Sequence, residues 1–293
     1  MTRLRDALAS SHFVVTTELN PPKGTDLSTL FDTAKQLHGS ITAVNLTDSH
    51  AAKMSMSPLA VAHLLNDFGI EPILQVTGRD RNRIALQGDL LGAQALGIRN
   101  VLCMGGDPPG GGDHPDAKPV FDLGTTELLS AAAGLNRGID SAGHSLNAPT
   151  SLFIGAVVNP GADDLDAEVA RMREKVDAGA TFFQTQAVYE AHAFEQFANR
   201  IHDLQAHVIA GIIPLKSLKM AKYLHDKVPG ITIPDALFKA LERSDNVTET
   251  SIDAAATTVR DLQPLCAGVH LMTIGWEAQI PHILARAGMN GSA

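Results

Sequence analysis

The sequence predicts one (β/α)8 TIM barrel, and three observations carry that prediction. Short runs rich in Val, Ile, Leu and Thr recur eight times along 293 residues. Most are continuously apolar rather than alternating, the pattern of parallel strands buried on both faces. Longer segments of helical periodicity separate them, several closing on Gly, and eight such units in a chain of this size match the barrel's strand count and length. An open doubly wound sheet is the competing architecture, but no G-x-G-x-x-G follows the first run and no second lobe is evident. A single domain over residues 1–293 is expected.

The elements follow in order. FVVTTEL (13–19) is β-branched and ends where NPPKG brings prolines that cannot continue a ladder. LSTLFDTAKQLHG spaces its apolar residues as a helix and stops on Gly39. ITAVNLT (41–47) and EPILQVT (71–77) are the next strands, and RNRIALQGDLLGAQALG is the helix leading to NVLCMGG (100–106). A long connection, GGDPPGGGDHPDAKPVFDLG, has no Walker pattern and reads as a mobile lid. SLFIGAVVN (151–159), FFQTQAV (182–188) and HVIAGIIPL (207–215) continue the alternation, with LDAEVARMREKVDAG and SLKMAKYLHDKVPG as helices. A second long connection, from IPDALFKALERSDN, precedes the last strand, GVHLMTI (268–274).

Composition excludes several classes of function. With 44% hydrophobic residues in 31.0 kDa the chain can bury a large core, and no stretch approaches the roughly 18 apolar residues that span a bilayer. The opening MTRLRDALASSHF lacks an apolar signal region, so neither secretion nor membrane insertion is expected and a cytoplasmic location fits. A net charge of −9 without a basic, aromatic-bearing stripe argues against nucleic acid. Cys103 and Cys266 sit in apolar runs and form neither a disulfide framework nor a zinc site. Twelve histidines include no H-x-x-x-H pair beside an acid, so no metal is expected.

In such a barrel the reactive groups stand at the carboxyl ends of the strands. That mouth holds Glu18, Thr47 with Asp48, Gln75 with Thr77, Asp107, Asn159, Gln186, and Pro214 with Lys216. Carboxylates at two strand ends suit general acid and electrostatic work on a substrate that develops positive charge. Glu18 closes an apolar strand and Gln186 interrupts one, so purely structural roles would need buried partners. Asp48 and Asp80, each ahead of a helical pattern, read equally well as helix caps. Arg79, Arg81 and Arg83 could hold a phosphate or carboxylate, or brace a helix start. Trp276 reads as packing, with a contact to an adenine or dinucleotide as the alternative.

The segments ELNPPKG, VNLTDSHAAKMSMSPLA, TGRDRNRIALQGDLLGAQALGIRNVLCMGGDPP, EVARMREKVDAGATFFQTQAVY, GIIPLKSLKMAKYL and VPGITIPDAL, in order and in spacing, resemble the methylenetetrahydrofolate reductase family, most of all its short bacterial branch. The resemblance implies a flavin-dependent barrel reducing 5,10-methylenetetrahydrofolate to 5-methyltetrahydrofolate, with electrons passing from NADH or NADPH through FAD. It implies Glu18 as the general acid, its apolar strand raising its pKa, and Asp107 as the carboxylate facing flavin and pterin. Gln186 and Leu218 would contact the folate. Thr47, Gln75, Met104, Gly105, Gly106, Asp107, Phe121, Val157 and Lys175 fall at flavin positions. Gln75 stands where many relatives have histidine, Gly105 where some have arginine, Phe121 where a tyrosine stacks, and Leu218 where an aromatic caps the substrate. A homo-oligomer is expected. The alternatives are a flavin-free pterin barrel, reducing folate directly or transferring a methyl group, and a non-catalytic partner subunit.

Overall fold

The computed structural model describes residues 3–289; the ends of the expected 1–293 domain, residues 1–2 and 290–293, lie outside them. Eight parallel strands, β1 (Val14–Leu19), β2 (Ala43–Leu46), β3 (Pro72–Thr77), β4 (Asn100–Met104), β5 (Phe153–Val158), β6 (Phe182–Ala187), β7 (His207–Ile212) and β8 (Gly268–Leu271), pair in sequence order. β8 closes on β1 with Val14 opposite Gly268. Each lies inside the run that the sequence marks for it.

Helices cover the barrel: α1 (Arg3–Ala9), α2 (Ser28–Leu37), α3 (Pro58–Asp67), α4 (Arg83–Ala95), α5 (Thr125–Asn136), α6 (Leu165–Asp177), α7 (Ala191–Arg200), α8 (Leu218–Lys227), α9 (Asp235–Arg243), α10 (Val247–Leu262) and α11 (Ile280–Arg286). The second long connection is therefore two helices, α9 and α10. The main core lies between barrel and helices, where Leu65, Leu90, Met172, Phe197 and Val259 are fully buried.

A smaller core fills the amino-terminal end of the barrel. Leu4 and Leu8 of α1 pack there with Val14, Ile73, Phe153, Phe182 and Ile209. Phe153 and Phe182 stack with centroids 4.9 Å apart, and Gly155 is required beside them because a Cβ there would overlap the Phe182 ring. Glu71 fixes α1 by accepting from the N–H groups of Arg3 (2.6 Å) and Leu4 (3.0 Å), a carboxylate at a helix start.

Candidate active site

At the opposite end a cleft of about 430 Å³ opens among the carboxyl ends of the strands. Its lining brings together Glu18 (β1), Gln75 (β3), Met104 and Asp107 (β4 and its loop), Val157 and Asn159 (β5 and its loop), Lys175 (α6) and Gln186 (β6), eight of the residues expected from the sequence. His50, Gln184 and His270 join them. None of these three is marked by the sequence reasoning, although a histidine inside the apolar run GVHLMTI carries the same signal as Gln186 in its strand.

Five of the residues that the family resemblance implies stand off this lining. Thr47 is buried and its hydroxyl donates to Asn20 Oδ1 at 2.8 Å. Gly105 and Gly106 form the turn after β4; Gly106, at φ +90°, runs close against Thr77 and Arg79. Phe121 is 41% exposed and its N–H donates to Gly78 O. Leu218 opens α8 and packs with the cluster of Ile213, Leu215 and Tyr189.

Glu18 does not have the raised pKa that its strand suggests. Burial, the largest single influence, does raise it, but His270 and then His50 together outweigh burial and hold the carboxyl below its ordinary value. His270 Nε2 lies 3.8 Å from Glu18 Oε2, an ion-pair separation. His50 is delivered by a tight turn in which Ser49, Ala51 and Ala52 all have φ near +53°. Left-handed backbone at three non-glycine residues is costly, and such strain concentrates at functional sites.

Beneath Glu18 the barrel interior is polar. Asn45 and Gln184 exchange amide hydrogen bonds of 2.6 and 3.0 Å, Gln184 Nε2 donates to Thr16 Oγ1 at 3.3 Å, and Thr16 Oγ1 lies 2.9 Å from His270 Nδ1. All four side chains are almost fully buried.

Around the rim, charge is spent on architecture. Asp48 caps no helix; it accepts from the N–H and hydroxyl of Thr77 at 2.8 and 2.9 Å and pairs with Arg81. Asp80 likewise pairs with Arg79, and the cap of α4 is Asn82, which accepts from Ile84 and Ala85 N–H. Arg83 grips Asp122, and Arg171 grips Glu168. Lys175 donates to Val157 O at 2.7 Å, and burial lowers its pKa. The glycine-rich connection is docked: Asp113 binds Lys23 and Met54 N–H, while Val120 N–H donates to Arg79 O.

Burial pushes the thiols of Cys103 and Cys266 up to about 12 and about 11, which keeps both protonated. No group of three or more metal-ligating side chains occurs among the described residues. None of their helices is long and apolar enough to cross a membrane.

Fold and site together define a (β/α)8 barrel with an acid-bearing cleft at its carboxyl mouth. Among solved structures, tryptophan synthase from M. tuberculosis shares the fold at TM-score 0.54 and 13% identity, over 99% of this chain and 97% of that one. A 2,3-dimethylmalate lyase does so at 0.53 and 13%, over 100% and 91%. The family model for methylenetetrahydrofolate reductase matches residues 3–288, and the chain belongs to that family. Relatives include the probable methylenetetrahydrofolate reductase (NADPH) of Caenorhabditis elegans, 26% identical over 81% of this chain and 35% of its own length. The probable NADH enzyme of Oryza sativa is 25% identical over 98% and 50%, and the 5,10-methylenetetrahydrofolate reductase of Salmonella typhimurium 25% over 66% and 60%. The chain thus spans about a third to a half of the length of the first two.

Proposed function

We propose that this protein reduces 5,10-methylenetetrahydrofolate to 5-methyltetrahydrofolate with electrons from NADH or NADPH. The observation that carries the reading is Glu18, a carboxyl facing the cleft from the end of β1 in a chain of this family. The methylene bridge of the substrate is an aminal. Hydride can be accepted only after N10 is protonated and the ring opens to a 5-iminium cation, so a proton donor is indispensable and worth about 10²–10⁴ in rate. Asp107, on the same lining, offers a carboxylate that can favour such a cation. Gln186 offers a side-chain amide, which can both donate to and accept from a pterin edge.

The family resemblance implies FAD as electron carrier, and the residues fit it only in part. Gln75, Met104, Asp107 and Val157 suit a flat ring with polar edges. A pyrophosphate calls for cations or converging N–H groups. Arg79, Arg81, Arg83 and Arg171 are each committed to a carboxylate, Lys175 is the lining's one lysine and is tied to a carbonyl, and Thr47, Gly105, Gly106 and Phe121 stand away. The set does not fit a whole flavin dinucleotide. Direct transfer from a dihydronicotinamide ring to the folate is the route proposed: NADH and NADPH carry the same pyrophosphate, but a co-substrate that exchanges each turnover can leave it in solvent at the mouth, whereas a resident cofactor must be held there. The test is a visible spectrum of the purified protein, followed by anaerobic mixing with NADH or NADPH and methylenetetrahydrofolate. Formation of 5-methyltetrahydrofolate by colourless protein is the expected result. A stoichiometric yellow chromophore would restore the flavin route, and no methyl product with either nucleotide would refute the reductase reading.

A further inference from the structure

We propose that His270 is the proton-holding partner of Glu18: the imidazole stores at Nε2 the proton that Glu18 delivers to substrate. The inference rests on the reductase reading for its substrate and on geometry for the pair itself. An acid must carry its proton when substrate arrives, yet the surroundings of Glu18 favour its ionised form. The proton therefore needs another seat within reach. His270 Nε2, 3.8 Å from Glu18 Oε2, is that seat, and contacts of this kind tighten when substrate fills a site.

The far side of the ring is built for both protonation states. Thr16 Oγ1 lies 2.9 Å from His270 Nδ1 and 3.5 Å from Val269 O, and it accepts from Gln184 Nε2. When Nδ1 carries hydrogen, it donates to Thr16 Oγ1 and the hydroxyl turns toward Val269 O. When Nδ1 is bare, the hydroxyl donates to it. A hydroxyl is a donor and an acceptor at once, so neither state strands a polar atom in the core. The balance closes as follows: the imidazolium gives its Nε2 proton to the Glu18 carboxylate, Glu18 gives its proton to substrate nitrogen, and the neutral imidazole keeps Nδ1–H. Water reloads the pair through Glu18, whose side chain is 16% exposed against 4% for His270. The other titratable groups on the cleft that holds the pair are His50 after β2, Asp107 after β4, and Glu168 and Lys175 on α6; from β2 and β6 come the neutral Asn45, Gln184, Thr185 and Gln186.

His270→Asn keeps a polar side chain and removes the proton store. With saturating nucleotide, kcat for folate reduction at pH 8 should fall about 10²-fold, with KM changed less than about twofold. The basic limb of the rate profile should move down by about one pH unit, because Glu18 must then hold the proton alone. In substrate-free protein, the carbon-13 carboxyl signal of Glu18 should titrate at higher pH in the variant, since the charge holding it down has gone. A variant that is slower at every pH with an unmoved limb, or an unmoved Glu18 titration, overturns the proposal. Should His270→Asn fail to fold, Thr16→Val, which strips the partner of Nδ1 while Gln184 Nε2 keeps its bond to Asn45, must move the Glu18 titration in the same direction or the proposal falls. The carboxyl titration needs no substrate, so it decides the pair even if the wild type proves not to reduce methylenetetrahydrofolate.

Discussion

Replacing Glu18 by Gln keeps the side chain's shape and removes its charge and its acidic proton. Two consequences should diverge. Folate reduction loses its acid, a decrease of about two or more decades. Stability should fall only slightly. A unit charge pair at the observed 3.8 Å is worth about 4 kcal/mol at an effective dielectric constant near 20. Against this gross attraction stands burial, the largest influence on the carboxyl, and an amide escapes that cost. His270 and His50 outweigh that cost, so the ionised carboxyl is net stabilising and unfolding free energy should fall, by about 1 kcal/mol or less. The assays are nucleotide oxidation dependent on methylenetetrahydrofolate and urea unfolding on the same preparation. A variant that keeps wild-type turnover, or one whose activity falls only in proportion to a stability loss of about 3 kcal/mol, would refute the assignment of Glu18 as acid.

Asp107→Asn should slow folate reduction by about 10²-fold while leaving stability unchanged, because its charge serves a cation in the cleft rather than an ion pair; steady-state rates and thermal melts check both. Asp48→Ala should cost about 3 kcal/mol in urea unfolding, since it orphans the buried Thr77 N–H and breaks the Arg81 pair, whereas Asp80→Ala, 48% exposed, should cost under about 1 kcal/mol. Acid should undock the 105–124 connection. Arg83 holds Asp122 down to about 2 and Lys23 lowers Asp113 further, so both carboxylates favour the docked state above about pH 4, their unfolded value, and lose that contribution as pH falls toward 2. Pepsin cleavage within this segment should rise across that window, and an unchanged cleavage rate would count against these anchors.

The strands were legible because burial on both faces leaves little choice of residue, and every observed strand lies within an apolar run. Glu18 and Gln186 were legible for the same reason, as polar residues placed where apolar ones were free to sit. His270 satisfies that test too, but nothing near it in sequence marks a role, since its partners Glu18 and Thr16 lie more than 250 residues away. Asp48 looked like a cap because a cap is a local reading, while its real partner, Thr77, is set by the pairing of β2 with β3. The docked connection was unreadable because its anchor, Lys23 to Asp113, is a contact between two loops of no fixed pattern.

The plug of Leu4, Leu8, Phe153 and Phe182 turns the barrel into a vessel with one opening. Reactants that stack in such a vessel must leave in the reverse of the order in which they entered. The molecule seated deeper is trapped until the outer one departs, so an excess of the outer partner should slow release of the inner product. Inhibition by high concentrations of one substrate, uncompetitive toward the other, is then a property of the sealed floor and not of any group at the mouth.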